Sequence, residues 1–386
     1  MSRDVGTDST FQSETFKSVC LICDSAGGWG AAAQAAVAAL DPLPDGANLG
    51  FLYATDPLAE DLGSILAFLK AKTKITQWVG TVGMGVLGNG LEIYDRPALS
   101  LLVGRLPEES FRLFDTITED TAAFCAQNDP WIAEQFPTLG LVHGDPRNPE
   151  IAELIQSLSQ ASSAFLVGGL SSSRGALPQI AGQVCDGGLS GLLLSSNLPV
   201  AVGLTQGCSP VGPNRMITDA EETIVQSIED QPAVDVLKED IGEILSRDLS
   251  RIGGYIYASF PIPGSDTGDY LVRNIIGIDP ARGWLQVAEE VTPGMAIGFC
   301  RRDHDSAKMD LRRMLKDLLA RAEGPPKAAL YFSCIARGQH LFGGQSEEMR
   351  EIGDALGNVP LAGFFANGEI SHNRLYAYTG VLTLLM

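Results

Sequence analysis

Short apolar runs closed by glycine recur along the whole chain, and several of the segments between them carry apolar residues at helical spacing. A chain written this way folds in layers, with strands inside and helices laid over them. Residues 18–23, 49–54 and 75–81 read as strands. The Ala-rich stretch 30–40 reads as a helix, and so does 57–70, with Leu58, Leu62, Ile65, Leu66 and Leu69 along one face. The alternation then breaks. Residues 91–94, 98–106 and 111–116 follow one another through short connections, as antiparallel hairpins do. Helices at 119–127 and 149–160 and strands at 139–143, 163–169, 180–185, 189–195 and 200–204 continue the mixture. The expected class is α/β with α+β character: mixed, partly antiparallel sheets with helices packed on their faces.

The second half is written in the same style. Residues 232–245 read as a helix and 254–260, 270–276, 285–288 and 295–300 as strands. The clearest amphipathic helix is 303–322, where Leu311, Met314, Leu315, Leu318 and Leu319 form a stripe and Gly324-Pro325-Pro326 ends it. A strand at 328–334, a helix at 346–356 and strands at 359–365 and 375–385 close the chain. With 386 residues the chain is too long for one ordinary core, so two lobes are expected. The division reads as a polar, disordered tail over 1–17, a first domain over 18–240 and a second over 241–386. A faint echo between 78–93 and 361–370, each a strand, a small-residue turn and a strand, fits two lobes of related design.

Charge narrows the partners. A formal net charge of −20 with no Lys/Arg run argues against nucleic acid and against anionic membrane surfaces. No stretch approaches the roughly 20 apolar residues of a membrane helix, and no signal peptide is visible, so a cytoplasmic location is expected. Seven scattered cysteines read as reduced thiols rather than as a disulfide framework. Cys20 and Cys23 share a redox-like spacing, but both fall in a strand and read as core thiols. His143-Gly-Asp145 offers two metal donors with no second cluster, so no metal is expected. Gly83-x-Gly85-x-x-Gly88 mimics a dinucleotide loop, yet a strand follows where a helix is needed, so no cofactor is expected either.

The residues richest in chemistry lie between 328 and 371. One strand runs into Cys334, Arg337 and Gly338; about thirty residues later another runs through Gly363, Phe364 and Phe365 into Asn367, Gly368 and Glu369. Strand ends are where α/β proteins present ligand groups. If the strands are neighbours, Arg337 offers a fork for a carboxylate and Glu369 a partner for an ammonium. The plainer alternative leaves Cys334 as a core thiol and Arg337 and Glu369 as a structural pair.

These same segments carry a family resemblance. "LYFSCIARGQHLFG" at 330–343, "VPLAGFFANGEI" at 359–370 and "YTGVLTLL" at 378–385 are similar to motifs of the FIST C domain, as is "YLVRNIIGIDP" at 270–280, centred on Arg273. "VGTVGMGVLGNGLEI" at 79–93, with Glu92 as its acidic residue, "FLVGGLSSS" at 165–173 and "GLTQGCSPVGP" at 203–213 resemble FIST N. The resemblance implies a sensory protein of signal transduction that binds a small ligand, an amino acid being one proposal. No output module is visible, so a separate output partner is implied.

Three functions are weighed. The preferred one is a small-molecule sensor with Cys334, Arg337, Gly338, Gly363, Phe364, Asn367, Gly368, Glu369 and Arg273 as ligand-binding residues. The second is an enzyme with Cys334 as nucleophile on a small amide or ester, needing a base from His143, His304, His340 or His372. The third is an interaction scaffold. Oligomeric state and ligand identity are not written in the sequence.

Overall fold

A computed structural model describes residues 8–23, 27–262 and 269–386. Among the described residues the strands form four sheets. Two compact units result, and they are not successive segments of the chain. One holds the described residues up to Thr205 together with 311–375 and 379–386; the other holds 206–310 and 376–378. The physical reason is strand pairing across the sequence. Leu361–Ala366 pairs with Gly85–Gly88, and Glu369–His372 pairs with Phe165–Leu170, so late strands complete sheets begun by early ones.

The first unit contains three sheets. In one, Phe16–Ile22, Ala98–Gly104, Leu49–Thr55 and Gln77–Gly83 form the centre, with Leu49–Thr55 and Gln77–Gly83 parallel. Helices Gly28–Leu40 and Leu62–Thr73 cover its outer face. They bury Ala33, Ala36, Leu62 and Ile65 against Val19, Leu52 and Leu101. A second sheet runs through Glu369–His372, Phe165–Leu170, Pro137–Gly144, Leu189–Ser195 and Phe111–Ile117. Helices Ala122–Gln135 and Ile151–Ser162 lie over it, the latter through Leu154, Ile155 and Leu158. The third sheet is ordered Val200–Gln206, Thr379–Leu385, Ala328–Cys334, Leu361–Ala366, Gly85–Gly88, Leu91–Tyr94. Phe51, Tyr53, Leu141, Phe332 and Phe364 belong to one core to which all three sheets contribute.

The second unit is built on one long mixed-length antiparallel sheet. Its central strands are Ile256–Pro261, Ala296–Arg302, Cys208–Glu221 and Ile224–Ile228. Helix Ala233–Ser246 buries Val234, Val236 and Leu237 in the same cluster as Ile217, Val225 and Phe299.

The expected mixed class is what the chain adopts. Details differ. The tail expected over 1–17 is corrected on its described part: Asp8–Gln12 pairs with Phe16–Ile22, and Lys17 is buried with its ammonium on the carbonyls of Asp41 and Pro42. Residues 1–7 lie outside the described residues. The helix expected at 119–127 runs to Gln135, and the last expected strand divides into Arg374–Tyr376 and Thr379–Leu385. Cys20 and Cys23 are buried free thiols, with burial pushing Cys20 up to about 12 and Cys23 to about 11.

Candidate functional site

Strands Ala328–Cys334 and Leu361–Ala366 are parallel neighbours, with Cys334 opposite Ala366. Helix Glu347–Leu356 lies between them in sequence. Both strands therefore end at the same edge of the sheet, and the two motifs picked out of the sequence become adjacent. The Ile335 N–H donates to the Ala366 carbonyl at 3.0 Å, which ties the two turns together. Past Cys334 the chain turns at once, with the Arg337 N–H donating to the Cys334 carbonyl at 2.7 Å. Asn367 is exposed at the tip of the other turn, and Glu369, the first residue of the next strand, is fully buried.

Arg337 is fully buried and its partner is Glu348, a residue the sequence did not single out. Nε lies 2.8 Å and Nη2 2.7 Å from Glu348 Oε1. Glu348 also accepts from the Tyr331 hydroxyl at 2.6 Å, from Ser333 Oγ at 3.2 Å and from the Gly338 N–H at 2.9 Å. Such a carboxylate is saturated with donors, which is the condition for keeping an ion pair inside a protein. Phe342 closes the other side, its ring centre 5.1 Å from the guanidinium carbon.

Glu369 is held differently. Its Oε2 accepts the Thr379 N–H at 3.1 Å and the Thr379 hydroxyl at 2.7 Å. Burial pushes its carboxyl up to about 8, against the lowering pull of Thr379, of the Arg337 charge and of the Cys334 thiol. Cys334, Arg337 and Glu369 are thus close enough to act on one another.

A third carboxyl belongs to the same neighbourhood. Glu92 caps the helix Glu347–Leu356, accepting the Met349 N–H at 3.1 Å, while its own N–H donates to Ser346 Oγ at 2.9 Å. The Tyr94 hydroxyl donates to it at 3.0 Å. Burial first, and then the charge of Glu348, push Glu92 up to about 7. Gly338 makes this closeness possible. It has φ +51°, and a Cβ there would stand 1.8 Å from the Tyr94 oxygen.

The other expected residues fall as follows. Gly363 lies inside its strand, where a Cβ would come within 1.7 Å of the Tyr331 carbonyl oxygen, so its smallness serves strand spacing. Phe364 is in the core with Tyr53, Phe332 and His143, whereas Phe365 stacks on Tyr94 with ring centres 4.7 Å apart. Arg273 belongs to the second unit, on strand Tyr270–Arg273, with Nε 2.6 Å from Glu289. His340 sits edge-on to Tyr94, and His372 stacks on Phe165. His143 is a core ring whose two nitrogens have no hydrogen bond, and burial lowers it to about 3. Asp145 binds the Arg147 guanidinium and the Gly187 N–H. Among the described residues no group of three His, Cys, Asp or Glu could hold a metal ion. The strand Gly85–Gly88 follows Gly83, so the dinucleotide-like spacing has no helix behind it.

Glu348, Tyr331, Ser333, Tyr94 and Thr379 were missed. Two signals were available. Glu348 stands four residues before Ile352, on the buried stripe of an amphipathic helix, where a carboxylate needs an internal partner. Tyr331 and Ser333 alternate along a strand whose every residue is buried, so both hydroxyls face one side.

The fold is mixed α/β, and it gathers buried ionisable groups where two parallel strands end. Comparison with known proteins assigns the chain. Residues 48–231 match the FIST N domain and residues 233–372 the FIST C domain, so the chain belongs to the FIST family, whose role is sensory input to signal transduction. It is 30% identical over 374 residues to an uncharacterized protein of Mycobacterium tuberculosis, covering 92% of this chain and 96% of that one. It is 28% identical over 387 residues to an uncharacterized protein of Mycobacterium bovis, covering 95% and 97%. No helix among the described residues is long and apolar enough to cross a membrane.

Proposed function

We propose that this chain is a small-molecule sensor that binds a small polar metabolite, an amino acid or a molecule like one, where Ala328–Cys334 and Leu361–Ala366 end. The ligand-contacting groups are Cys334, Asn367, Gly368 and Glu369, with Arg337 and Gly338 forming the floor. The signal then passes to an output protein, in keeping with the family's sensory role. The observation that carries this reading is the burial of Glu369 beside Cys334 and Arg337 at the carboxyl ends of two parallel strands. Burying a carboxyl is costly, and such groups concentrate at functional sites.

A metabolite panel read by thermal shift tests it, since a ligand that binds only the folded state raises the melting temperature. Hits are then titrated by calorimetry against the wild type, Glu369→Gln and Asn367→Ala. Affinity is expected to fall in both folded variants. Unchanged affinity in both places the ligand elsewhere in the chain.

A further inference from the structure

Arg337 already has its carboxylate. Glu348 fills the guanidinium fork and at the same time serves Tyr331, Ser333 and the Gly338 N–H. A carboxylate arriving on a ligand would have to dislodge Glu348 from all of these donors, leaving a buried charge and two hydroxyls without partners. Glu348 lies where a ligand carboxylate would otherwise be expected.

Glu369 is the opposite case. No salt bridge reaches it among the described residues. Oε2 is occupied by Thr379, but Oε1 is buried and accepts no hydrogen bond; the Cys334 thiol is a further, weakly donating neighbour of the carboxyl. A buried carboxyl oxygen with no strong donor is a position a ligand can complete. The Arg337 guanidinium is engaged by Glu348 and acts on Glu369 only as a neighbouring charge. Ile335 and Ala336 in the turn after Cys334 are half-buried, and Asn367, two residues before Glu369, is exposed.

We propose that the ligand of this site is a cationic amine, held through its nitrogen by Glu369 Oε1, and that a carboxylate on the ligand adds nothing to its affinity. The inference rests on the site assigned under Proposed function and narrows its chemistry. Burial keeps Glu369 protonated at neutral pH, with its carboxyl at about 8, so pairing with an ammonium expels that proton to solvent.

The test uses the full chain and matched probes: isoamylamine with leucine and 4-methylpentanoate, and tyramine with tyrosine and 3-(4-hydroxyphenyl)propanoate. Each set keeps one apolar body and varies the charged groups. Calorimetry at pH 7 in phosphate and in Tris reads affinity and protons together. The expected result has an amine binding as tightly as its amino acid, no binding of the deaminated acid, and close to one proton released. Glu369→Gln, which keeps an acceptor for Thr379, is expected to weaken the amine by about tenfold or more and to abolish proton release. An amino acid that binds while its amine binds about tenfold more weakly overturns this inference and leaves the site standing. Amine binding that Glu369→Gln does not alter overturns the site itself. Binding by no amine at millimolar concentration also overturns the inference. The proton count of the wild type decides the matter should the Gln variant fail to fold.

Discussion

Arg337 Nη2 and Glu348 Oε1 meet at 2.7 Å with neither side chain exposed to solvent. Removing one member of such a pair leaves the other charged in a medium that cannot solvate it, which typically costs about 3–5 kcal/mol. Arg337→Met and Glu348→Gln are therefore expected to lower the urea midpoint strongly. Arg337→Lys keeps the charge but not the planar fork and is expected to fall between them and the wild type. Arg312 and Glu351 make an equally short contact, 2.7 Å, but Arg312 is 61% exposed, so Arg312→Met is expected to cost about 0–1 kcal/mol. Equal midpoints for Arg337→Met and Arg312→Met would show that the buried pair carries no special weight.

Gly338 is fixed by two separate constraints, and they can be separated experimentally. Its φ of +51° strains any other residue, and an added Cβ would lie 1.8 Å from the Tyr94 oxygen and 2.8 Å from Phe365 Cζ. Left-handed backbone costs about 1–2 kcal/mol and overfilling about 1–3 kcal/mol. Gly338→Ala is expected to lose roughly the sum of these. Tyr94→Phe in the Gly338→Ala background is expected to recover part of the loss, because the hydroxyl clash goes while the Phe365 contact remains. A double-mutant cycle on melting curves measures the coupling, and a coupling near zero would contradict the contact.

Much of this was legible in the sequence, for identifiable reasons. The stripe of Leu311, Met314, Leu315 and Leu318 is buried in helix His304–Arg321 because the 3.6-residue period admits one apolar face. The sequence set Cys334 and Asn367 side by side only on the condition that their strands were neighbours, which the parallel pairing of Ala328–Cys334 with Leu361–Ala366 meets. What could not be read was partnership. The sequence offered Glu369 as the natural mate of Arg337, because both flank the motifs. Glu348 won because the helix between the two strands folds back and brings its first turn over Tyr331 and Ser333. Nor could spacing show that Gly85–Gly88 pairs with Leu361–Ala366 across some 270 residues of chain, since long-range pairing leaves no local signature.

His143 makes the core sensitive to acid. Its ring lies among Tyr53, Phe332 and Phe364, and both nitrogens lack hydrogen bonds. With the folded-state pKa near 3 and an unfolded value of about 6.5, the unfolded chain binds the proton first as pH falls. Stability is therefore lost between about pH 6.5 and 3, by at most about 1.4 kcal/mol per pH unit. His143→Phe removes the titration and two unpaired nitrogens. It is expected to stabilise the protein, and more at pH 5 than at pH 7.5. A gain that is the same at both values would mean that the imidazole is not the group titrating.

Glu369 titrates with the opposite sign. Its folded-state carboxyl sits at about 8, above an unfolded value of about 4.3, so the folded chain holds the proton that the unfolded chain gives up. The advantage is fully present below about pH 4.3 and is lost as pH rises through 8. Between about pH 4.5 and 6.5 the His143 and Glu369 slopes oppose each other, so stability is expected to be nearly flat there as far as these two groups are concerned. Above about pH 6.5 the histidine no longer contributes and the carboxyl dominates, with Glu92 at about 7 adding to it, so stability falls toward alkaline pH. Glu369→Gln imitates the protonated carboxyl. It is expected to match the wild type below about pH 4.3, to gain on it by up to about 1.4 kcal/mol per pH unit from there to about pH 8, and to hold a constant lead above. Chemical unfolding across that range checks the sign directly. A Gln variant that is less stable than the wild type at pH 9 would mean that the buried carboxylate is stabilised by a partner, and that the site has no need of a cation.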